Sequence, residues 1–131
     1  MSPEIYWLAW TSVLTTLLFI PYAYNRISKI TLLGAMRRAL PGDEPFDEAW
    51  GHRAYRAHMN AFEDLITFAP LAIAVHVAGM GNEVTAMAVQ VHFFARLLHA
   101  PIYWFNVPWL RFTSYMVGLI TTLILAWQLL V

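Results

Sequence analysis

The sequence predicts an all-α membrane protein, an antiparallel bundle of four transmembrane helices. Three observations lead there. Of the 131 residues, 60% are hydrophobic and only 12% are charged, about half the charged share of an ordinary soluble domain. The apolar residues fall into four runs, each close to the roughly 20 residues that cross a bilayer. All eight Lys and Arg residues (Arg26, Lys29, Arg37, Arg38, Arg53, Arg56, Arg96, Arg111) lie in or beside the first loop, or in the parts of the third and fourth runs nearest the same side. Under the positive-inside rule that side is cytoplasmic and both termini face outward; in a bacterium the membrane would be the inner one.

The elements follow in order. Ser2-Pro3-Glu4 reads as a helix opening, with Ser2 as N-cap, Pro3 at the first helical position and Glu4 favoured by the helix dipole. The first span is expected over about 5–24. Pro21 is placed to kink it, and its helix is expected to run on to Leu40, where Pro41-Gly42-Asp43-Glu44-Pro45 breaks it. One longer loop, 39–52, follows, with four acids in its 42–48 segment. The second span covers about 54–78 and ends at Gly79-Met80-Gly81-Asn82; the third covers 84–105 and the fourth 109–131, separated by Asn106-Val107-Pro108. Tyr24, Tyr103, Trp104 and Trp109 fall at the cytoplasmic ends as an interfacial aromatic belt, and Arg37 and Arg38 are expected to meet anionic lipid head groups. The amino terminus has neither a basic region ahead of its apolar run nor a small-residue cleavage pattern after it, so the first span is expected to remain. A single domain, 1–131, uses the whole chain.

Composition also excludes functions. The formal net charge is zero, so nothing in the total suggests nucleic acid or an acidic partner, and the placement of the charges matters more than their sum. Cysteine is absent, so disulfide exchange has no working residues and any thiol must come from a ligand.

Polar residues on the spans carry the functional signal. At about 100° per residue, Arg53, Arg56, Asn60 and Glu63 fall within roughly an 80° arc. His92, Arg96, His99 and Tyr103 share a face of the third span; Arg111 and Tyr115 share one on the fourth, continued by Gly118 and Thr122. An unpaired ionisable group inside a bilayer costs on the order of 3 kcal/mol, so Glu63, Asp64 and Arg96 should face protein or a wet cavity. A Glu–Arg pair that merely locks helices is the plain reading of any single pair. Three stripes at one depth, with arginines in excess over buried carboxylates, favour a pocket for an anionic ligand. His76 and His92 read as hydrogen-bonded helix histidines, and no pair has metal-ligand spacing with a carboxylate, so no metal is expected.

The run His52-Arg53-Ala54-Tyr55-Arg56-Ala57-His58-Met59-Asn60-Ala61-Phe62-Glu63-Asp64 resembles the second-helix signature of the MAPEG superfamily, the membrane-associated proteins in eicosanoid and glutathione metabolism. Ala95-Arg96-Leu97-Leu98-His99-Ala100-Pro101-Ile102-Tyr103 and Leu110-Arg111-Phe112-Thr113-Ser114-Tyr115 resemble its third and fourth helices. The resemblance implies a homotrimer with glutathione sites between subunits near the cytoplasmic face. It implies that Arg56, Asn60 and Glu63 hold the tripeptide from one subunit, that Tyr103, Arg111 and Tyr115 come from the next, and that Arg111 activates the thiol. Arg26 is expected at a ligand carboxylate; Arg53, Arg96 and His99 are expected to support the pocket. Met59, Asp64 and Phe112 depart from residues of the prostaglandin and leukotriene synthase branches, so neither eicosanoid reaction is assigned.

The expected activity is a glutathione-dependent transferase or peroxidase acting on a lipophilic small molecule from the bilayer, with glutathione as co-substrate, the chain itself and membrane lipids as partners, and no nucleic acid. The alternative is a noncatalytic lipid-binding or scaffold trimer of the same fold. A small proton-coupled multidrug transporter is the weaker rival, because no carboxylate lies between Glu4 and Arg26 in the first span.

Overall fold

The computed structural model describes residues 1–37 and 49–131. Arg38 and the acids of segment 42–48 lie outside the described residues, as does the expected break at Pro41. Five helices are described: α1 (Pro3–Leu17), α2 (Phe19–Arg37), α3 (Ala49–Val77), α4 (Glu83–Trp104) and α5 (Pro108–Leu130).

The first expected span is therefore a broken rod. α1 and α2 meet at Leu18 rather than running through to Tyr24 as one element. Pro21 gives the physical reason: it has no N–H for the Leu17 carbonyl, and its ring crowds that same carbonyl. A second break lies at Thr31, which leaves the helical region at φ 66°, ψ 164°. The longer loop is also shorter at its far end than expected, since Ala49–His52 already belong to α3.

The helix ends follow the local chemistry. Ser2 caps α1 by accepting from the Ile5 N–H, with Pro3 first in the helix. α3 closes through Gly79 at φ 66°, with the Met80 N–H reaching back to the Val75 carbonyl, the left-handed ending that glycine permits. Asn82 and Thr85 form a reciprocal capping box on α4. Asn106 turns at φ 57° and Pro108 opens α5.

The helices run antiparallel. Ser2 bonds His76 and Glu4 accepts from Thr85, which ties the start of α1 to the end of α3 and the start of α4. Asn82 donates to Gln128 at the far end of α5. α3 and α4 form the middle, flanked by α1 and α5, whose backbones do not approach each other closely among the described residues. Ala54, Ala57 and Ala61 are buried along α3 and let neighbouring backbones approach closely. One apolar cluster, including Leu8, Phe68, Val75, Val89 and Leu125, fills the half nearest the Gly79 turn; Leu18, Ala61 and Ala100 fill the other. Polar side chains lie between them.

Among the described residues, three helical rods are long and apolar enough to cross a membrane: Pro3–Arg37, Ala49–Val77 and Pro108–Leu130. α4, with 22 residues, has a length of about 33 Å. Within it His92, Arg96 and His99 are buried against the other helices, while Glu83 lies exposed in its first turn.

Candidate functional site

Two adjoining cavities open between α3 and α5, and α4 adds His99 and Tyr103 to the wall of one of them. The outer one, about 290 Å³, is lined by Asn60, His99, Tyr103, Pro108, Arg111, Phe112 and Tyr115. The deeper one, about 220 Å³, is lined by Asn60, Glu63, Asp64, Thr67, Tyr115, Leu119 and Thr122. Asn60 and Tyr115 belong to both, so the cavities are two arms of one cleft.

In the outer arm the Arg111 guanidinium lies over the Tyr103 ring, 5.1 Å from its centroid, a cation–π contact that holds the charge at the cavity wall. Tyr103 in turn meets His99 edge to face. His99 is buried; its Nδ1 bonds the Ser114 hydroxyl at 2.8 Å and its Nε2 faces the Asn60 amide at 3.5 Å. One residue from each of three helices thus fixes the floor.

Behind the deeper arm is a polar cluster. Asp64 Oδ2 bonds His92 Nε2 at 2.8 Å and lies 3.7 Å from Arg96 Nε. His92 Nδ1 reaches the Thr121 hydroxyl at 2.9 Å and the Gly118 carbonyl at 3.2 Å, and Phe68 stacks flat on its ring at 3.7 Å. Gly118 leaves room for this layer: a Cβ there would sit 3.5 Å from Arg96 Cδ and 3.8 Å from Asp64 Oδ1. Arg96 is buried, and its Nε and Nη1 have no hydrogen-bond partner among the described residues.

The sequence-expected residues divide into groups. Asn60, Tyr103, Arg111, Tyr115 and His99 line the outer arm, and Glu63 joins Asn60 and Tyr115 in the deeper one. A single chain brings these together, whereas the expected site divided them between subunits; the α3 and α5 stripes already face each other across α4. Arg56 is exposed and lines neither arm. Arg53 donates from Nε to the Trp104 carbonyl at 2.8 Å at the end of α4 and lines neither arm. Arg26 is half-buried on α2, which packs on α3 through Tyr22 and His58, and it lines neither arm. The Asp64–His92 pairing was not legible: both residues carried polar signals, but their partnership depends on the register of α3 against α4.

The MAPEG family matches residues 5–131. The chain belongs to the MAPEG family. Together with the three membrane-length rods, membership makes it an integral membrane protein of a family associated with glutathione and eicosanoid metabolism. No curated protein and no solved structure matches the chain. In this MAPEG protein the polar stripes of α3, α4 and α5 line the cleft or lie behind it, and the Asp64–His92 pair stands behind the deeper arm.

Proposed function

We propose that the cleft binds glutathione and uses its thiol on a lipophilic electrophile or hydroperoxide, as a homotrimeric transferase or peroxidase whose Arg26 and Arg111 end faces the cytoplasm. The observation that carries this reading is Arg111, fixed over Tyr103 in a cavity shared with Asn60, His99 and Tyr115. Asn60 and Glu63 are the proposed holders of the tripeptide, joined by Tyr103 and Tyr115; Arg56 and Arg26 are assigned to a neighbouring copy's cleft. A guanidinium beside the sulfur favours thiolate over thiol. The thiol proton passes to water, and the thiolate then either forms a C–S bond as the electrophile's leaving group departs, or attacks the terminal oxygen of a hydroperoxide, breaking the O–O bond; the alkoxide released takes a proton from water, and a second glutathione converts the resulting sulfenic acid to the disulfide and water.

The test is ultraviolet absorbance of the thiolate. Wild-type protein with glutathione should develop it at a pH where free glutathione shows little. Arg111→Ala should lose that signal and turnover while retaining most of the affinity, because the charged ends of the tripeptide are held elsewhere. Arg111→Lys should recover only part, since lysine restores charge without the planar fork. Binding without thiolate or turnover in the wild type would leave the noncatalytic reading. One observation favours that second reading: an apolar groove of about 610 Å³ on α4 and α5, lined by Met87, Val91, Phe94, Leu98 and Leu110 among others, suits an acyl chain.

A further inference from the structure

We infer that the Asp64–His92 couple is a proton carrier for the cleft: by way of water, it stores the proton that a thiol gives up and returns it to a departing alkoxide. The hydrogen bonds decide the proton count. His92 Nδ1 lies 3.2 Å from the Gly118 carbonyl and 2.9 Å from the Thr121 hydroxyl, and that hydroxyl donates to the same carbonyl at 2.8 Å. A carbonyl can only accept, and the hydroxyl has given its proton away, so Nδ1 carries a hydrogen. The Nε2–Oδ2 contact of 2.8 Å then needs a proton of its own, held by the imidazolium or by the carboxylic acid. An ionised Asp64 facing a bare Nε2 would set two lone pairs against each other.

The surroundings suit both the gain and the loss of that proton. His92 is fully buried beneath the flat Phe68 ring, whereas Asp64 is 12% exposed and lines the deeper arm. Exchange with the cleft therefore passes through Asp64. Arg96 Nε stands 3.7 Å from Oδ2, and the Nε and Nη1 of this buried guanidinium have no hydrogen-bond partner among the described residues. Its charge offsets that of an Asp64 carboxylate when the proton has left. The other ionisable groups lining this arm are Glu63 on α3 and Tyr115 on α5.

The inference rests on the glutathione reading and deepens it toward hydroperoxides. Thiolate attack on a hydroperoxide forms an S–O bond and breaks the O–O bond, and the alkoxide that leaves with the electron pair needs a proton; a chloride displaced in a conjugation does not. The couple takes up the thiol proton and gives it to the alkoxide, so it ends each reduction as it began.

Two measurements separate this from the reading beneath it. The first is nitrogen NMR of detergent-purified wild type labelled with 15N-histidine, the His92 signals being those lost in His92→Gln. A protonated Nδ1 is expected; a bare Nδ1 beside a protonated Nε2 would overturn the couple, and this result needs no variant of Asp64. The second compares turnover of cumene hydroperoxide and of 1-chloro-2,4-dinitrobenzene with glutathione. Asp64→Asn, shown to be folded by elution volume and melting temperature, should lower the ratio of peroxide reduction to conjugation by about a hundredfold, the scale of general acid catalysis. An unchanged ratio, or a wild type that conjugates but reduces no peroxide, would overturn the carrier role and leave the glutathione reading standing. A wild type that neither binds glutathione nor turns over either substrate would end that reading and the carrier role together, while the nitrogen signals still show whether the couple holds its proton.

Discussion

At the residue scale, two glycines separate tolerance from constraint. Gly118 lies over Asp64, His92 and Arg96, but a Cβ there would make ordinary contacts of 3.5 to 3.9 Å. Gly118→Ala should therefore leave the melting temperature in detergent nearly unchanged, with the usual helix gain of alanine over glycine offsetting the crowding. Gly81 is different, because a Cβ would meet the Glu4 carboxylate at 3.1 to 3.3 Å. Glu4 is only 2% exposed and is held by the Thr85 hydroxyl, so it has little freedom to retreat. Gly81→Ala should destabilise by about 1 kcal/mol or more, and equal melting temperatures for the two variants would contradict this contrast. The sequence marks Glu4 only as a first-turn acid, a property of its own helix. Its burial depends on where α4 begins relative to α1, a tertiary relation that no local spacing encodes. Asp64 and His92 were hidden for the same reason, whereas the cleft stripes of α3, α4 and α5 were legible because helical periodicity places their members on one face before any neighbour is known.

At the element scale, the caps were the readable part and the breaks were not. Ser2, Pro3, Gly79, Asn82 and Pro108 all act where local chemistry puts them. Pro21 announces an interruption, but only its displacement toward the N-terminus, to residues 17 and 18, shows which carbonyl it frees. Thr31 gave no signal at all. Its backbone at φ 66°, ψ 164° is a region that nearly only glycine occupies without strain, while its hydroxyl accepts from the Gly34 N–H at 3.2 Å and caps the following turn. Two substitutions should thus move stability in opposite directions. Thr31→Gly removes the strain and loses little as a cap, so it should stabilise by about 1 kcal/mol. Thr31→Ala keeps the strain and loses the cap, so it should destabilise by a similar amount. In an unbroken helix glycine would instead be the worse of the two, and thermal unfolding of the pair in detergent decides between these backbones.

At the scale of the whole molecule, the charge that the cleft of one chain leaves unused, Arg56, bears on the proposed trimer. Arg56 and Glu63 are exposed on a helix of membrane-crossing length, and lipid is a poor cover for either. The absence of native cysteine makes the orientation directly measurable: Phe105→Cys should react with an impermeant reagent only from the cytoplasmic side of oriented vesicles, and Met80→Cys only from outside. The assembly itself is tested by mixing inactive variants. If the trimer places Arg56 of one copy at the cleft of the next, co-expressed Arg56→Ala and Arg111→Ala chains should together regain about one working site in four, since a site then needs intact Arg111 from its own chain and intact Arg56 from its neighbour. Asn60 behaves differently, because it shares the outer arm with Arg111 within one chain. Mixed trimers of Asn60→Ala and Arg111→Ala should stay inactive, for every chain then lacks one half of its own cleft. Recovery in the second mixture would move the α3 wall of the site to a neighbouring subunit; failure of the first, with native mass spectrometry confirming mixed trimers, would place Arg56 at its own chain's cleft, and an Arg56→Ala chain that stays active by itself would leave Arg56 with no part in catalysis.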